Sequence, residues 1–559
     1  MKLTNIILFG CILTFLGCNS EKTAQESSDS DFEDMDEVVN PEKEEKKVTS
    51  RDYSITPDVA YNNIFLDSNA MERYISRRNI NDKKIARRIR SFYNARNYQY
   101  AWFSSDGITE QTRFFWNQYD YAVNHQKDST LNNDDFFKRA EKLVNQENPA
   151  FRKGDSSQLD LEFAFTEHFI RYINSTYEKG YVKRKEQEKF IPIKRLDPVA
   201  MADSLLTKKH KDDKYYEQVN DLYAALKNNL QLYLDVTRAG GWTDISFTKG
   251  TLKPGQSASV IPAIKNRLRL SQDYPLSDTS SLFTDTLELA VRKFQRRHGY
   301  TETGTINAQL VKEMNVPAKQ RLMQVLLNMD RMRWLPQKPT GHLIIVNIPE
   351  FKLHLYEGTK LLWDMVVVVG KEGNNTMMFN GDLNQVIFSP YWNVPNSIIK
   401  NEIEPAIARN PNYLDNKNME RTAYGIRQRP GPGNALGKVK FIFPNSFNMY
   451  FHDTPSKSLF ERDKRAFSHG CIRLAEPQKM AEWLLRDDPN WPADKIVDAM
   501  NAGKERAVKI RNPVPVFIIY YTAWVDDRGE LNFRDDVYGH DKKLMAKMFT
   551  GITDTTTSR

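Results

Sequence analysis

The chain has 559 residues, 40% apolar, 11% aromatic and 27% charged, with a formal net charge of +8. At about 150 residues per domain this length predicts several folded units rather than one hydrophobic core. The composition excludes a disordered tail, a collagen and a polytopic membrane protein, and the basic surplus suits an anionic partner: nucleic acid, an anionic membrane or a carboxylate-rich polymer.

In chain order, Lys2 is followed by an apolar run over 6–17 and then Cys18. The run is too short to span a bilayer and has the charged start and apolar middle of a secretory signal. Phe15-Leu16-Gly17-Cys18 resembles a bacterial lipobox. That resemblance implies cleavage before Cys18 and diacylation of that cysteine, and lipid chains hold an otherwise soluble protein on a membrane. Residues 1–18 are therefore expected to be a lipoprotein signal. Residues 19–58 are expected to be an acidic disordered tether, because eleven Asp or Glu face four Lys over 19–50. Of three cysteines, Cys11 leaves with the signal and Cys18 is lipidated. Cys471 then remains as the lone thiol of an exported chain.

Residues 59–250 read as a helical scaffold, with apolar residues spaced at three to four over 88–102, 159–177 and 215–236. Gly240-Gly241 closes the last of these helices, and the region carries no chemical motif. Residues 251–320 change texture, with helices expected over 260–270 and 286–298 and turns at Gly299 and Gly304. The run Ala290 to Gly299, then Gly304-Thr305-Ile306 and Met314-Asn315, resembles the small three-helix peptidoglycan-binding module of the type 1 family. That implies contact with cell-wall glycan or stem peptide and no catalysis. A lone helical phenylalanine belongs to the core more often than to a ligand surface, so Phe294 is expected in the module core.

From residue 342 the pattern turns to short β-branched or aromatic runs broken by Gly, Pro and Asn: 343–348, 352–356, 362–369, 385–389, 441–443, 448–452 and 514–524. A mostly antiparallel sandwich or barrel is expected over 340–540, followed by a tail over 541–559. The fold class is multidomain α+β.

Ser468-His469-Gly470-Cys471-Ile472-Arg473 sets the lone thiol beside a histidine, a glycine and an arginine. A cysteine nucleophile acts as the thiolate, so it needs a base or a positive field, and backbone N–H groups to hold the oxyanion. His469 and His452 are both candidate bases. The chain has no His-Glu-x-x-His helix and no paired Cys-x-x-Cys, so no metal site or other cofactor is expected. No nucleic-acid signature is present, no penicillin-binding Ser-x-x-Lys set is convincing, and papain-like or caspase-like motifs are missing.

His452, a fifteen-residue spacer and then Ser468 to Arg473 resemble the signature of the L,D-transpeptidase (YkuD-type) catalytic domain. Pro390 to Pro395, and Arg429 to Gly433 through Leu436-Gly437 to Asn445, resemble the large-scaffold branch of that family, as does the order scaffold, binding module, catalytic domain. The resemblance implies that Cys471 is the nucleophile and His452 the base, with the Asp453 backbone orienting its ring. Backbone N–H groups of His469, Gly470 and Cys471 would form the oxyanion hole, with Ser468 supporting the motif. Arg473 would brace the loop or meet a substrate carboxylate, and Tyr391, Trp392 and Asn393 would line the substrate cleft. An insertion at about 396–428 corresponds to a lid, in which Lys400, Glu402 and Arg409 are candidate contacts to stem groups. Asn375-Thr376-Met377 has Met where that family commonly has Pro, which puts the shape of this loop in question. The implied reaction makes a thioester with a tetrapeptide stem, releases D-alanine and forms 3-3 cross-links. Water or a protein lysine as acceptor would make a carboxypeptidase or a lipoprotein-to-wall ligase, and a non-catalytic wall-binding lipoprotein is the rival from another class. The implied partners are stem peptides, glycan and a membrane reached through the lipid anchor, with the protein facing the periplasm from the outer membrane.

Overall fold

The computed structural model describes residues 47–80, 82–146, 149–177, 190–207, 221–334, 341–373 and 375–552. The expected signal with Cys18, most of the tether, the start of the helix expected from 215, and residues 553–559 lie outside the described residues.

The scaffold is built from helices α1 (Ser68–Arg77), α2 (Lys83–Ala95), α3 (Glu110–Asp120), α4 (Asp134–Val144), α5 (Ser156–Tyr177), α6 (Pro198–Leu206) and α7 (Asp221–Arg238). Side-chain caps start several of them: Asp82 accepts from the N–H groups of Lys84 and Ile85, and Thr109 accepts from Thr112. Helix α2 buries Ile85, Ile89, Phe92 and Tyr93 along one stripe. The helix expected over 88–102 instead ends at Ala95, because Asn97 and Tyr98 both adopt positive φ (50° and 62°) and break the helical ladder. The next turn is held by the buried Glu162 carboxylate, which accepts the N–H groups of Ala101 (2.7 Å) and Trp102 (3.0 Å). Order also starts inside the stretch expected to be tether, since Ile55 is fully buried and Asp52 N–H donates to the Asn94 carbonyl.

Helices α8 (Ile261–Leu270), α9 (Asp285–Arg297) and α10 (Ala308–Met314) enclose a small separate core of Ile264, Leu268, Leu287, Val291 and Leu310. Phe294 is fully buried in it, with its ring 3.8 Å from that of His298. Helix α11 (Ala318–Met332) then runs through the interior. Its Leu326 and Met329 join the scaffold core, together with residues from the strands that follow.

Those strands are β1 (His342–Asn347), β2 (Lys352–Glu357), β3 (Lys360–Gly370), β4 (Phe379–Phe388), β5 (Trp392–Asn393), β6 (Met419–Thr422), β7 (Gly425–Gln428), β8 (Val439–Ile442), β9 (Tyr450–His452), β10 (Ala466–Ser468), β11 (Ile472–Leu474) and β12 (Arg506–Ile519). The main sheet has nine strands in the order β10-β3-β11-β9-β8-β4-β12-β1-β2, and β2 also pairs with β3, which closes it into a barrel. Most pairings are antiparallel; β9 with β11, β10 with β3 and β12 with β1 are parallel. Both faces of β1 and of the last part of β12, residues 514–519, are buried. Ile344, Val346, Val516 and Ile518 point into the barrel, while Leu343, Ile345, Phe517 and Ile519 point into the scaffold core. This double burial explains why these two segments read as continuous apolar runs.

Two more expectations are corrected. The run over 514–524 is not one strand: it breaks after Ile519, where Thr522 is held by Asn328 and Asp541, and Ala523–Val525 turns back onto Leu531–Phe533. Residues 541–552 are not a tail. Helix α12 (His540–Met548) buries Leu544, Met545 and Met548 in the scaffold core, and Phe549 bridges to Leu196.

The insertion is a small folded body. Strands β6, β7 and β5 form a three-stranded sheet over Val394, Ile398, Ile403, Met419 and Ile426.

Candidate active site

The sheet register gathers the site. In the parallel pair, Phe451 lies opposite Ile472 and His452 opposite Arg473, so Tyr450 falls opposite Cys471. Alternate residues of a strand point to opposite faces. Phe451 and Ile472 enter the barrel core, both essentially fully buried, and Tyr450, His452, Cys471 and Arg473 therefore share the outer face. Lys440 of β8, paired with His452, joins them. A two-residue frame of apolar side chains inside thus fixes the polar set outside.

His452 is buried, and its Nδ1–H donates to the Asp453 carbonyl at 2.5 Å. In the neutral ring this leaves Nε2 as the free acceptor. Burial, reinforced by the Arg473 charge, brings its pKa down to about 3. Cys471 is half-buried and free. Burial pushes its thiol pKa up, against hydrogen bonds from Tyr450 and the charge of Arg473, which pull it down. Both shifts favour the neutral forms, thiol and imidazole. Arg473 has a buried Nε without a hydrogen-bond partner among the described residues. The Asp453 carboxylate is engaged elsewhere, accepting from Lys438 N–H (2.9 Å) and pairing with Lys457 (2.7 Å).

The loop carrying the thiol is clamped from both sides. Ser468 Oγ donates to the Cys471 carbonyl (2.6 Å) and accepts from Gly470 N–H (3.2 Å). Gly470 has φ +116°, a conformation that side chains oppose. Thr376 Oγ donates to the Gly470 carbonyl (2.7 Å) and accepts from Gly370 N–H (2.9 Å). Tyr538 Oη in turn accepts from Thr376 N–H (3.2 Å) and donates to the Gly370 carbonyl (2.8 Å). The loop in question at Asn375-Thr376-Met377 is therefore a brace for the motif. Met377 adds its own anchor, its N–H reaching Met449 Sδ at 3.4 Å.

His469 instead meets the insertion, its Nε2 2.8 Å from Glu402 Oε1. Of the three insertion residues singled out in the sequence, the structure brings Glu402 to the motif. Tyr391 lies under the Arg427 guanidinium (4.2 Å), its carbonyl facing Lys440 Nζ at 3.5 Å, while Trp392 and Asn393 form β5 at the root of the insertion. Sequence reasoning missed Tyr450, Lys440 and Tyr538, and noted the loop of Thr376 without its bracing role. Tyr450 carried a signal, standing two residues before His452 and hence on its face; the others come from segments that only the tertiary fold brings near. No group of side chains able to hold a metal ion occurs among the described residues.

Residues 341–508 match the L,D-transpeptidase catalytic domain model of the YkuD family. This segment is a YkuD-type L,D-transpeptidase catalytic domain. Residues 87–230 match the scaffold domain model, so the YkuD domain here sits behind a helical scaffold, as its sequence resemblance implied. A Haemophilus influenzae protein whose name assigns it to the L,D-transpeptidases is 31% identical over 254 residues, 42% of this chain and 50% of that protein. The chain thus spans about half the length of this curated relative. Among solved structures, an L,D-transpeptidase from Stackebrandtia nassauensis aligns with 49% of this chain and 97% of its own at 13% identity and a TM-score of 0.22. One from Mycobacterium smegmatis aligns with 32% and 58%, at 14% identity and a TM-score of 0.19.

Proposed function

We propose that this protein is a peptidoglycan L,D-transpeptidase that works through a thioester on Cys471. The observation that carries the reading is the shared outer face of β9 and β11, which brings together a thiol, a histidine whose Nδ1 is engaged by the Asp453 carbonyl, and a guanidinium whose buried Nε has no hydrogen-bond partner among the described residues. In the first half-reaction the Cys471 proton passes to His452 Nε2 as sulfur attacks the carbonyl before the terminal D-residue of a tetrapeptide stem. Backbone N–H groups of the clamped 469–471 loop hold the oxyanion. Collapse expels D-alanine, whose amine takes the proton back from His452. In the second half-reaction the amine of a neighbouring stem attacks the thioester, His452 accepts its proton, and the thiol is restored with a 3-3 cross-link formed.

In the same reading the three-helix module contacts glycan or stem peptide, and the insertion covers the cleft, with Glu402 and His469 as its contact. An acyl chain on Cys18 tethers the enzyme to a membrane, the outer membrane being favoured, with its body in the periplasm. No helix among the described residues is long and apolar enough to cross a membrane. The test is mass spectrometry after incubation with a disaccharide-tetrapeptide and, separately, with a carbapenem. A 3-3 dimer and a covalent adduct on Cys471, both abolished in Cys471→Ala, are expected. Tripeptide without dimer would shift the reading to a carboxypeptidase, and no product and no adduct from a folded protein would refute it.

A further inference from the structure

The sheet register sets two cations on either side of the proposed base, in one row across the outer face. Arg473 of β11 pairs with His452 of β9, and His452 pairs with Lys440 of β8. Neighbouring strands lie about 4.8 Å apart, so the backbones of the two cations are about 10 Å from each other. Beyond Lys440 the row continues through Ile387 of β4 and Ala507 of β12, which carry no charge. The Lys440 side chain is half-buried, and its ammonium faces the Tyr391 carbonyl at 3.5 Å, longer than a normal hydrogen bond. It forms no ion pair among the described residues. Burial lowers its pKa, with the charge of Glu505 acting against the shift. Glu505 itself accepts the Tyr391 N–H at 2.7 Å. Asp453 and Glu402 are also taken, by Lys457 (2.7 Å) and His469 (2.8 Å).

A half-buried ammonium without a counterion calls for an anion from outside the chain, and a carboxylate makes the charge-assisted hydrogen bond it lacks. Arg473 is the side chain already expected to meet a substrate carboxylate. Lys440 lies on the far side of His452 from it and beside Tyr391, a residue of the expected cleft. A substrate laid across the row therefore meets a cation on each side of the base. A stem peptide with one carboxylate on its last residue and another within it matches that arrangement. We propose that Lys440 is a specificity-determining residue that holds a carboxylate retained on the acyl part of the donor stem, while Arg473 serves the carboxylate that leaves with D-alanine. The identity of the donor rests on the proposed transpeptidase reading; the anion site itself does not.

The test is calorimetry on the full chain carrying Cys471→Ala, which binds a donor without forming a thioester. It is titrated with a disaccharide-tetrapeptide in its free form, amidated at the terminal carboxylate, and amidated at each internal carboxylate in turn. One internal amide is expected to bind at least about tenfold more weakly than the free donor, the effect of losing one charge-assisted hydrogen bond, and which amide does so identifies the carboxylate. Adding Lys440→Gln is expected to weaken the free donor at least about tenfold, to leave that amide within about threefold and to keep the melting temperature unchanged. Lys440→Arg, which keeps the charge, is expected to bind the free donor more tightly than Lys440→Gln does. A lysine that only pinned the Tyr391 carbonyl would behave differently, because its loss would weaken free and amidated donors alike. That pattern, internal amides that bind as tightly as the free donor, or no heat with any donor would overturn the proposal. The comparison of donors needs no substitution at 440, so it decides the matter even where Lys440→Gln fails to fold. Release of D-alanine by the wild type is read separately: its absence beside the expected binding pattern would refute the transpeptidase reading and leave the anion site standing.

Discussion

Replacing Thr376 by valine tests whether the thiol loop is positioned from outside the motif. Valine keeps the shape of the side chain and removes only the hydroxyl, which in the wild type accepts from Gly370 N–H at 2.9 Å and donates to the Gly470 carbonyl at 2.7 Å. Thr376 is buried, so water does not freely replace it, and the substitution orphans one donor and one acceptor. Each buried unsatisfied group costs about 1 to 3 kcal/mol, which puts the local penalty at about 2 to 6 kcal/mol. At about 1.4 kcal/mol per decade, the equilibrium for opening this loop should shift at least roughly 30-fold. The direct assay is hydrogen exchange by mass spectrometry on peptides containing Gly370 and Gly470, run beside the rate of carbapenem acylation of Cys471. Thr376→Val should exchange at least tenfold faster in both peptides and acylate at least tenfold more slowly, while Thr376→Ser, which keeps the hydroxyl, should stay within about threefold of wild type. Unchanged exchange in Thr376→Val would refute the brace.

Three further outcomes follow from the same geometry. Gly470→Ala, forced to φ +116°, should carry a strain of about 1 to 3 kcal/mol; at about 1.4 kcal/mol per decade stopped-flow acylation should fall at least about fivefold, and a rate within twofold of wild type would count against the loop geometry. The Arg331 guanidinium is buried between Glu110 (2.7 Å) and Asp541 (2.6 Å), so Arg331→Met strands two carboxylates at a cost of about 3 to 5 kcal/mol. Its melting temperature should drop by several degrees, and adding Glu110→Gln and Asp541→Asn should restore most of the loss; a single variant that melts like wild type would sink this account. The pH profile follows from the signs of the two shifts. His452 must be neutral to accept a proton and its pKa is lowered to about 3, while the Cys471 thiol pKa is raised, so the neutral pair persists across the neutral range. The acylation rate should therefore be flat between about pH 5 and pH 8, and an acid limb near about 6.5, the ordinary histidine value, would contradict the burial of His452.

Much of the candidate site was legible along the chain because its residues lie close together in sequence. Cys471, its loop glycine and Ser468 lie within four residues, and His452 stands at the end of a short strand whose alternation can be read directly. The strands β1 and the end of β12 were also visible, as apolar runs over 343–348 and from 514. The helix expected over 88–102 failed for a physical reason that periodicity does not carry. Its last turn is replaced by two left-handed residues and a buried Glu162 that captures the freed N–H groups, and that carboxylate comes from a helix about sixty residues away.

By itself the sequence determined which residues carry reactive groups and which faces of each strand are apolar, since both depend on side-chain identity and a fixed backbone period. The tertiary structure alone decided which strands became neighbours. The parallel pairing of β9 with β11 sets Tyr450 against Cys471, the closure of β2 onto β3 makes the sheet a barrel, and the docking of α12 turns an expected tail into a wall of the scaffold core. Those contacts join residues far apart along the chain. They form because burying both faces of β1, of residues 514–519 and of α11 removes more apolar surface from water than any local arrangement of the same segments, and no local pattern encodes the partner that makes such burial complete.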